Sequence, residues 1–330
     1  RTVGPGLGRA SQFGVVIKSG AAFERLGGIR HLAVDKTGTL TGNQPEVTGV
    51  VPADGFDRAQ VLAFAAAVEQ QSTHPLAAAI AAAGPEAPAA LDISEEAGHG
   101  IGGTVEGRRV LVGSPRWIDT GPLKADVERM ESEGQTCVLV TVDGALAGAI
   151  GVRDELRPEV PEAVQTLHAN GVEVSMLTGD NTRTARALAA IAGIDDVRAE
   201  LRPEDKASIV AELSSKTPTA MIGDGINDAP ALAGATVGIA MGATGSDAAI
   251  ESADVAFTGH DLRLIPQALQ HARRGSRIIN QNIVLSLAII IVLMPLAISG
   301  VLGLAAVVLV HEVAEVIVIL NGLRAAQAKR

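Results

Sequence analysis

The chain has 330 residues, of which 47% are hydrophobic and 2% aromatic, with one cysteine and a formal net charge of −10. That length suffices for two or three domains with buried cores. The acidic balance speaks against nucleic acid as a partner, because a phosphate backbone demands an excess of Lys and Arg. The lone Cys137 excludes an internal disulfide and a Cys-based structural zinc site. It lies in the apolar run Cys137-Val138-Leu139-Val140 and reads as a core residue. The chain opens with Arg1 and shows no signal-peptide pattern, which reads as a portion of a longer polypeptide.

In chain order, Ile29–Val34 is strand-like and ends at Asp35. Residues 47–151 have a different character. Helical patterns (Asp57–Glu69, Pro75–Ala83, Pro115–Glu133) mix there with short alternating strands (Thr104–Val112, Thr136–Val142), as expected of a second domain inserted into the first. Further strands follow at Val172–Leu177, Ala220–Ile222 and Val237–Met241, with helical stretches at Pro158–Asn170 and Thr182–Ala192. The first two of these strands run into Thr178-Gly179-Asp180 and Gly223-Asp224-Gly225. Strand–helix alternation with polar residues at strand ends predicts a doubly wound parallel sheet with its ligand at the carboxyl edge.

From about residue 270 the hydropathy changes. Ile283–Ser299 carries no charge, a Gly300-Val301-Leu302-Gly303 break follows, and Leu304–Leu320 is a second apolar run. With their flanks, each is about the ~20 residues that cross a bilayer. Arg273, Arg274 and Arg277 precede the pair, and Arg324, Lys329 and Arg330 follow it. Cations at both ends predict a hairpin with both ends cytoplasmic, spanning 279–322, and a cytoplasmic tail at 323–330.

The chemistry concentrates in Asp35-Lys36-Thr37-Gly38-Thr39-Leu40-Thr41. A carboxylate at a strand end, followed by a small-residue loop, can attack a γ-phosphoryl group while backbone N–H groups hold its oxygens. An Asp after a strand is more often a turn or cap residue. Here three further groups stand at strand ends or nearby: the Thr178 hydroxyl, the Lys206 ammonium and the carboxylates of Asp224 and Asp228. Two positions past the nucleophile, where a carboxylate could serve as general acid and base, stands Thr37. Without that base the covalent intermediate is expected to persist. In the second apolar run, His311, Glu312 and Glu315 share a helical face and form a mixed imidazole–carboxylate set suited to Zn²⁺ or Co²⁺. An interhelical hydrogen-bond cluster without an ion is the bland alternative.

The four-part set resembles the haloacid-dehalogenase-like phosphotransferases. Asp35–Thr41, Thr178-Gly179-Asp180-Asn181 and Gly223–Leu232 resemble P-type ATPases over essentially the whole chain. The resemblance implies a haloacid-dehalogenase-like doubly wound α/β phosphorylation domain (30–46 and 152–270), an inserted α+β nucleotide-binding domain (47–151) and the two-helix transmembrane hairpin. It implies phosphorylation of Asp35 by ATP, with Mg²⁺ held by Asp35, the Thr37 carbonyl and Asp224. Lys36, Thr178, Gly179, Asp180, Lys206, Asn227 and Asp228 would complete the catalytic pocket.

Glu69, His74-Pro75, and the glycines Gly98, Gly100 and Gly103 resemble the nucleotide site of the heavy-metal-transporting P-type ATPases. Each alone is more often a surface residue or a turn. The His311-Glu312 pair resembles the last helix of the cobalt/zinc-type pumps, although Val313-Ala314-Glu315 stands where those have Gly-Gly or Gly-Ser. The absence of Tyr and of a Met-Ser-Ser sequence sets the copper-type pumps in second place. By the same resemblance, residues 1–29 are a linker from a preceding membrane helix. The actuator domain and the pump's N-terminal half would be elsewhere, so the chain would bind ATP, Mg²⁺, membrane lipid and a divalent metal ion without pumping alone. A membrane-anchored phosphatase and a non-catalytic nucleotide-binding partner subunit are the alternatives. Thr37 opposes the first, and the intact Asp35, Lys206 and Asp224 oppose the second.

Overall fold

A computed structural model describes residues 14–72, 74–96, 99–224, 228–242 and 251–324. Its strands are β1 (Val15–Ile17), β2 (His31–Asp35), β3 (Glu46–Pro52), β4 (Ala90–Glu96), β5 (Gly100–Val105), β6 (Arg108–Gly113), β7 (Thr136–Val142), β8 (Ala145–Arg153), β9 (Glu173–Leu177), β10 (Asp196–Arg198), β11 (Thr219–Gly223), β12 (Val237–Ala240) and β13 (Val255–Phe257). Its helices are α1 (Gly20–Gly28), α2 (Arg58–Glu69), α3 (Pro75–Ala83), α4 (Lys124–Ser132), α5 (Val160–Ala169), α6 (Thr182–Ala192), α7 (Pro203–Lys216), α8 (Ala229–Gly234), α9 (Leu264–Ile298) and α10 (Leu304–Leu323).

The chain divides into two compact units, one of residues 1–35, 162–174 and 203–330, the other of 36–161 and 175–202. In the first, β2, β11, β12 and β13 are parallel neighbours and β1 closes the edge antiparallel to β13. Every residue of β2, β11, β12 and β13 is buried, the continuous apolar pattern of parallel strands covered on both faces. This is the predicted parallel α/β sheet. In the second unit, β9 and β10 pair in parallel. There the antiparallel order β3-β8-β7-β6-β5-β4 builds a six-stranded sheet from residues 46–153. Val61, Val68, Ile80, Val110, Val140 and Ile150 pack in its core.

Two expectations change within that sheet. The stretch Thr104–Val112 is a hairpin rather than one strand. Glu106 (φ 48°) and Gly107 (φ 78°) both take left-handed conformations, the geometry of a tight turn matched to strand twist. Asp143 and Gly144 repeat it between β7 and β8. The helix expected over Pro115–Glu133 begins only at Lys124, because Gly121 (φ 48°) and Pro122 hold a separate 3₁₀ turn ahead of it.

Helices α9 and α10 are both long and apolar enough to cross a membrane, and only 6% of each apolar window is buried. A core helix of a water-soluble domain would bury that surface. The pair fits a transmembrane hairpin, turned by Gly300 at φ 71°. Helix α9 starts well before its apolar run. Ile265, Leu269, Ala272, Gly275, Ile278 and Ile279 are buried at helical spacing, forming a stripe along the segment that packs on α1.

Candidate active site

In the first unit, Asp35 ends the buried strand β2 with 5% of its surface exposed. Lys206, on the first turn and a half of α7, reaches it. Its Nζ donates to Asp35 Oδ1 at 2.6 Å and to Asp228 Oδ1 at 3.1 Å. Asp228, 2% exposed, precedes α8. Gly223 at the end of β11 makes room for it, since a Cβ there would lie 2.6 Å from Asp228 Oδ2. Burial raises the Asp35 carboxyl to about 7, opposed by Lys206 and reinforced by Asp228 and Asp224. Burial also lowers the Lys206 ammonium, but Asp35 and Asp228 outweigh it and hold the group above its ordinary range. Asp35 and Asp228 thus share one fixed cation.

In the second unit, Lys36–Leu40 forms a tight turn that Gly38 permits at φ 74°. Lys36 Nζ donates to Asp180 Oδ2 at 2.6 Å. The Asp180 N–H is held by Thr178 Oγ1 at 3.1 Å, and Thr178 itself is 3% exposed. Asn181 caps α6 by accepting from the Thr184 N–H at 2.9 Å, and Thr184 Oγ1 donates to the Gln135 carbonyl at 2.8 Å. These bonds fix the Thr178-Gly179-Asp180 turn at the carboxyl end of β9. The predicted Thr37 and Gly179 lie on these two turns.

Glu69, 8% exposed, ends α2. Burial first, and then Glu95, push its carboxyl up to about 7. His74 caps α3, its Nδ1 accepting from the Leu76 N–H at 3.2 Å, and Pro75 opens the helix. Desolvation lowers the His74 imidazole, against the pull of Glu95 and Asp180. Gly100 and Gly103 have packing reasons of their own. A Cβ on Gly100 would lie 2.1 Å from the Val112 carbonyl oxygen, and one on Gly103 2.5 Å from Ile93 Cδ1. Gly98 and Asn227 lie outside the described residues.

Residues 29–236 match the haloacid dehalogenase-like hydrolase family. The chain belongs to that family. Among its relatives, probable cation-transporting ATPase G of Mycobacterium tuberculosis (strain ATCC 25618 / H37Rv) is 58% identical over 99% of this chain and 42% of its own length. Copper-transporting ATPase 1 of Rhizobium meliloti (strain 1021) is 43% identical over 90% of this chain and 37% of its own. The zinc/cadmium/lead-transporting P-type ATPase of Escherichia coli (strain K12) is 42% identical over 97% and 44%. A crystal structure of a zinc-transporting PIB-type ATPase in the E2.Pi state superposes with a TM-score of 0.75 at 40% identity, covering 99% of this chain and 54% of that one. The chain therefore spans about two-fifths of the length of the curated relatives it matches.

Two features of this hydrolase-family chain bear on its ligands. The Thr39 hydroxyl is buried and has no hydrogen-bond partner among the described residues, a rare state for a buried polar atom and one that a ligand oxygen would relieve. The motif contains Thr39, but nothing in its spacing marked it as unpartnered. The donors of the Asp35 group suit Mg²⁺: hard carboxylate oxygens, in excess over the single ammonium. Among the described residues no cluster of three or more His, Cys, Asp or Glu is arranged to hold a metal. A site of two carboxylates and a backbone carbonyl falls outside that count.

In the hairpin, His311 Nε2 lies 3.8 Å from Glu315 Oε1. Both line a cavity of about 510 Å³ with Ser286, Ile290, Ala314 and Val318. Glu312, an exposed residue one position on, is not among the residues lining it.

Proposed function

We propose that this chain is the catalytic and membrane-hairpin portion of a P-type ATPase that transfers the γ-phosphoryl group of ATP to Asp35 and couples this to movement of a divalent heavy-metal cation. The observation that carries the reading is the buried Asp35–Lys206–Asp228 group at the carboxyl end of β2, followed two residues on by Thr37. An Asp35 oxygen attacks the γ-phosphorus, the bond to the bridging oxygen breaks and ADP leaves, so that an acyl phosphate remains. Lys206 offsets negative charge on the transferring group and counters the rise that burial imposes on the Asp35 nucleophile. The Thr178 hydroxyl, the Gly179 and Thr37 backbone and the unpartnered Thr39 hydroxyl would serve the phosphoryl oxygens, and Lys36 and Asp180, which pair with each other, would stand beside them. Mg²⁺, when bound, shields phosphate charge, and Asp35, Asp224 and the Thr37 carbonyl are the groups that would hold it. Asn227 and Asp228 complete the pocket. With no acid–base carboxylate at position 37, water attacks the acyl phosphate slowly, as suits a device that stores the energy of that bond.

The six-stranded sheet of residues 46–153 supports a nucleotide-binding domain at 47–151, inserted in a phosphorylation domain of 30–46 and 152–270. In it, Glu69, His74, Pro75, Gly98, Gly100 and Gly103 would form the purine side of the ATP site. Zinc- and copper-transporting relatives match at nearly the same identity, 42% and 43%, so identity does not choose the ion. The donors facing the hairpin cavity do favour one class. His311 and Glu315 offer imidazole and carboxylate, which suits zinc, cobalt or cadmium better than monovalent copper. The part of the relatives that this chain does not match is where the reading places the rest of the pump. Acid-stable labelling by γ-³²P-ATP and Mg²⁺ tests the phosphorylation step. Label on the wild type and none on Asp35→Asn is expected, whereas equal label on both refutes Asp35 as the acceptor.

A further inference from the structure

Arg273, Arg274 and Arg277 read in the sequence as one group of cations flanking a membrane span. The structure separates them. Arg274 and Arg277 are exposed. Arg273 turns inward: its Nη2 donates to the Ile29 carbonyl and its Nη1 to the Asn170 carbonyl, both at 2.7 Å. Arg30 Nη1 donates to the same Ile29 carbonyl at 3.4 Å. Ile29 caps the C-terminus of α1 two residues before β2, the strand that ends in Asp35. Asn170 sits in the turn that leads into β9, and the Glu173 N–H donates to the Arg30 carbonyl at 2.9 Å. The two carbonyls held by Arg273 thus belong to segments joined where they enter their strands.

The helix that carries Arg273 is seated tightly. A Cβ on Gly275 would lie 2.5 Å from Phe23 Cε1, and one on Gly27 would lie 2.7 Å from Ser276 Oγ and 3.0 Å from the Ala272 carbonyl oxygen. The helix then continues to Ile298, with Pro295 in its last turn. Farther along it, Asn282 is buried. Its Oδ1 accepts from Asn321 Nδ2 at 2.8 Å and its Nδ2 donates to the Val318 carbonyl at 3.3 Å, while Arg324 Nη1 donates to Asn321 Oδ1 at 2.8 Å. One continuous helical segment is therefore fastened to the approach to the Asp35 strand by Arg273 and to α10 by Asn282. A cation that only marks the membrane boundary faces water or headgroups. A guanidinium with both terminal nitrogens on backbone carbonyls spans two segments at once, and a lysine has no planar fork with which to do so.

We propose that Arg273 is a positioning residue that locks the strand carrying Asp35 to membrane helix α9, so that a change at the carboxyl end of β2 reaches α9 and, through Asn282 and Asn321, α10. The change that drives it rests on the aspartyl-phosphate reading, but the lock itself does not.

Hydrogen exchange read by mass spectrometry on the full chain in lipid nanodiscs tests both parts, with wild type, Arg273→Gln and Arg273→Lys. Without ligand, losing two charged hydrogen bonds is expected to speed exchange of amides 29–34 and 171–174 by about tenfold or more in Arg273→Gln. Unchanged rates overturn the lock whatever Asp35 binds. Arg273→Lys is expected to follow Gln, and wild-type behaviour would show that charge alone suffices, which overturns it too. With Mg²⁺ and beryllium fluoride as the phosphoryl probe, protection of the peptide containing Asp35 is expected to be accompanied in wild type by altered exchange over 276–285. Arg273→Gln should keep the first effect and lose the second. Transmission equal to wild type in that variant overturns the positioning role. If the Asp35 peptide of the wild type gains no protection, the aspartyl-phosphate reading fails, and the ligand-free comparison alone decides the lock.

Discussion

Replacing Glu69 with glutamine removes a carboxyl group that the fold holds protonated well above its ordinary range. Burial and the neighbouring Glu95 move it from 4.5 to about 7. A carboxyl raised in the folded state binds more protons there than in the unfolded chain, so stability falls as pH rises between the two values. Its contribution is fully present below about pH 4.5 and lost by the time the pH has passed about 7. At 1.36 kcal/mol per pH unit, the shift is worth about 3 kcal/mol. Glutamine keeps the shape and cannot ionise. Glu69→Gln should therefore match the wild type near pH 4.5 and exceed it above pH 7 by up to about 3 kcal/mol, several degrees in Tm. The only tryptophan, Trp117, packs on His99 with ring centroids 5.9 Å apart in the same unit, so its fluorescence follows unfolding of that unit directly. Taking the difference between variant and wild type cancels the titrations of groups not coupled to Glu69. Two melting profiles that stay parallel from pH 5 to pH 8 would refute the reasoning.

Lys206→Met leaves Asp35 and Asp228 without their shared cation and should slow phosphoenzyme formation by about 10²–10³-fold in quench-flow. A rate within a factor of two of wild type would count against it. Thr37→Asp places an acid–base group two residues past the nucleophile and should shorten the lifetime of the phosphoenzyme by about 10²-fold in a cold-ATP chase. An unchanged lifetime would mean that something else protects the intermediate. Gly100→Ala puts a methyl 2.1 Å from the Val112 carbonyl oxygen and should destabilise the six-stranded sheet by about 1–3 kcal/mol in denaturant titrations read at Trp117. A neutral result would show that the strand can shift at no cost. His311→Ala should weaken Zn²⁺ binding to the chain in nanodiscs at least tenfold by titration calorimetry, an effect that Glu312→Gln, outside the cavity lining, should not share.

Much of the catalytic centre is legible in the chain because its parts sit where strands end. The runs before Asp35, Thr178 and Asp224 are short, apolar and bounded, and the structure has β2, β9 and β11 there. Helices with local start signals also read well. Asp57 caps α2 with Gln60 in a reciprocal pair, and Pro75 opens α3. What failed depends on backbone geometry or on distant partners. The left-handed Glu106-Gly107 turn carries none of the usual Asn or Asp, so Thr104–Val112 looked like one strand. The buried first part of α9 is masked by three arginines that look like a membrane flank, and only the tertiary structure shows that Arg273 reaches two backbone carbonyls while Arg274 and Arg277 stay exposed. Helical spacing places His311, Glu312 and Glu315 on one side of α10. The partner helix α9 selects His311 and Glu315 for the cavity and leaves Glu312 out.

The central claim is that ATP leaves its γ-phosphoryl group on the side chain of Asp35. Borohydride reduction of the phosphorylated chain converts an aspartyl phosphate to homoserine, and tandem mass spectrometry of the peptide spanning residues 31–36 locates it. Homoserine at position 35, dependent on ATP and Mg²⁺, is the predicted result. Homoserine at Asp224 or Asp228, or acid-stable phosphate on a serine or threonine with position 35 intact, would contradict the account.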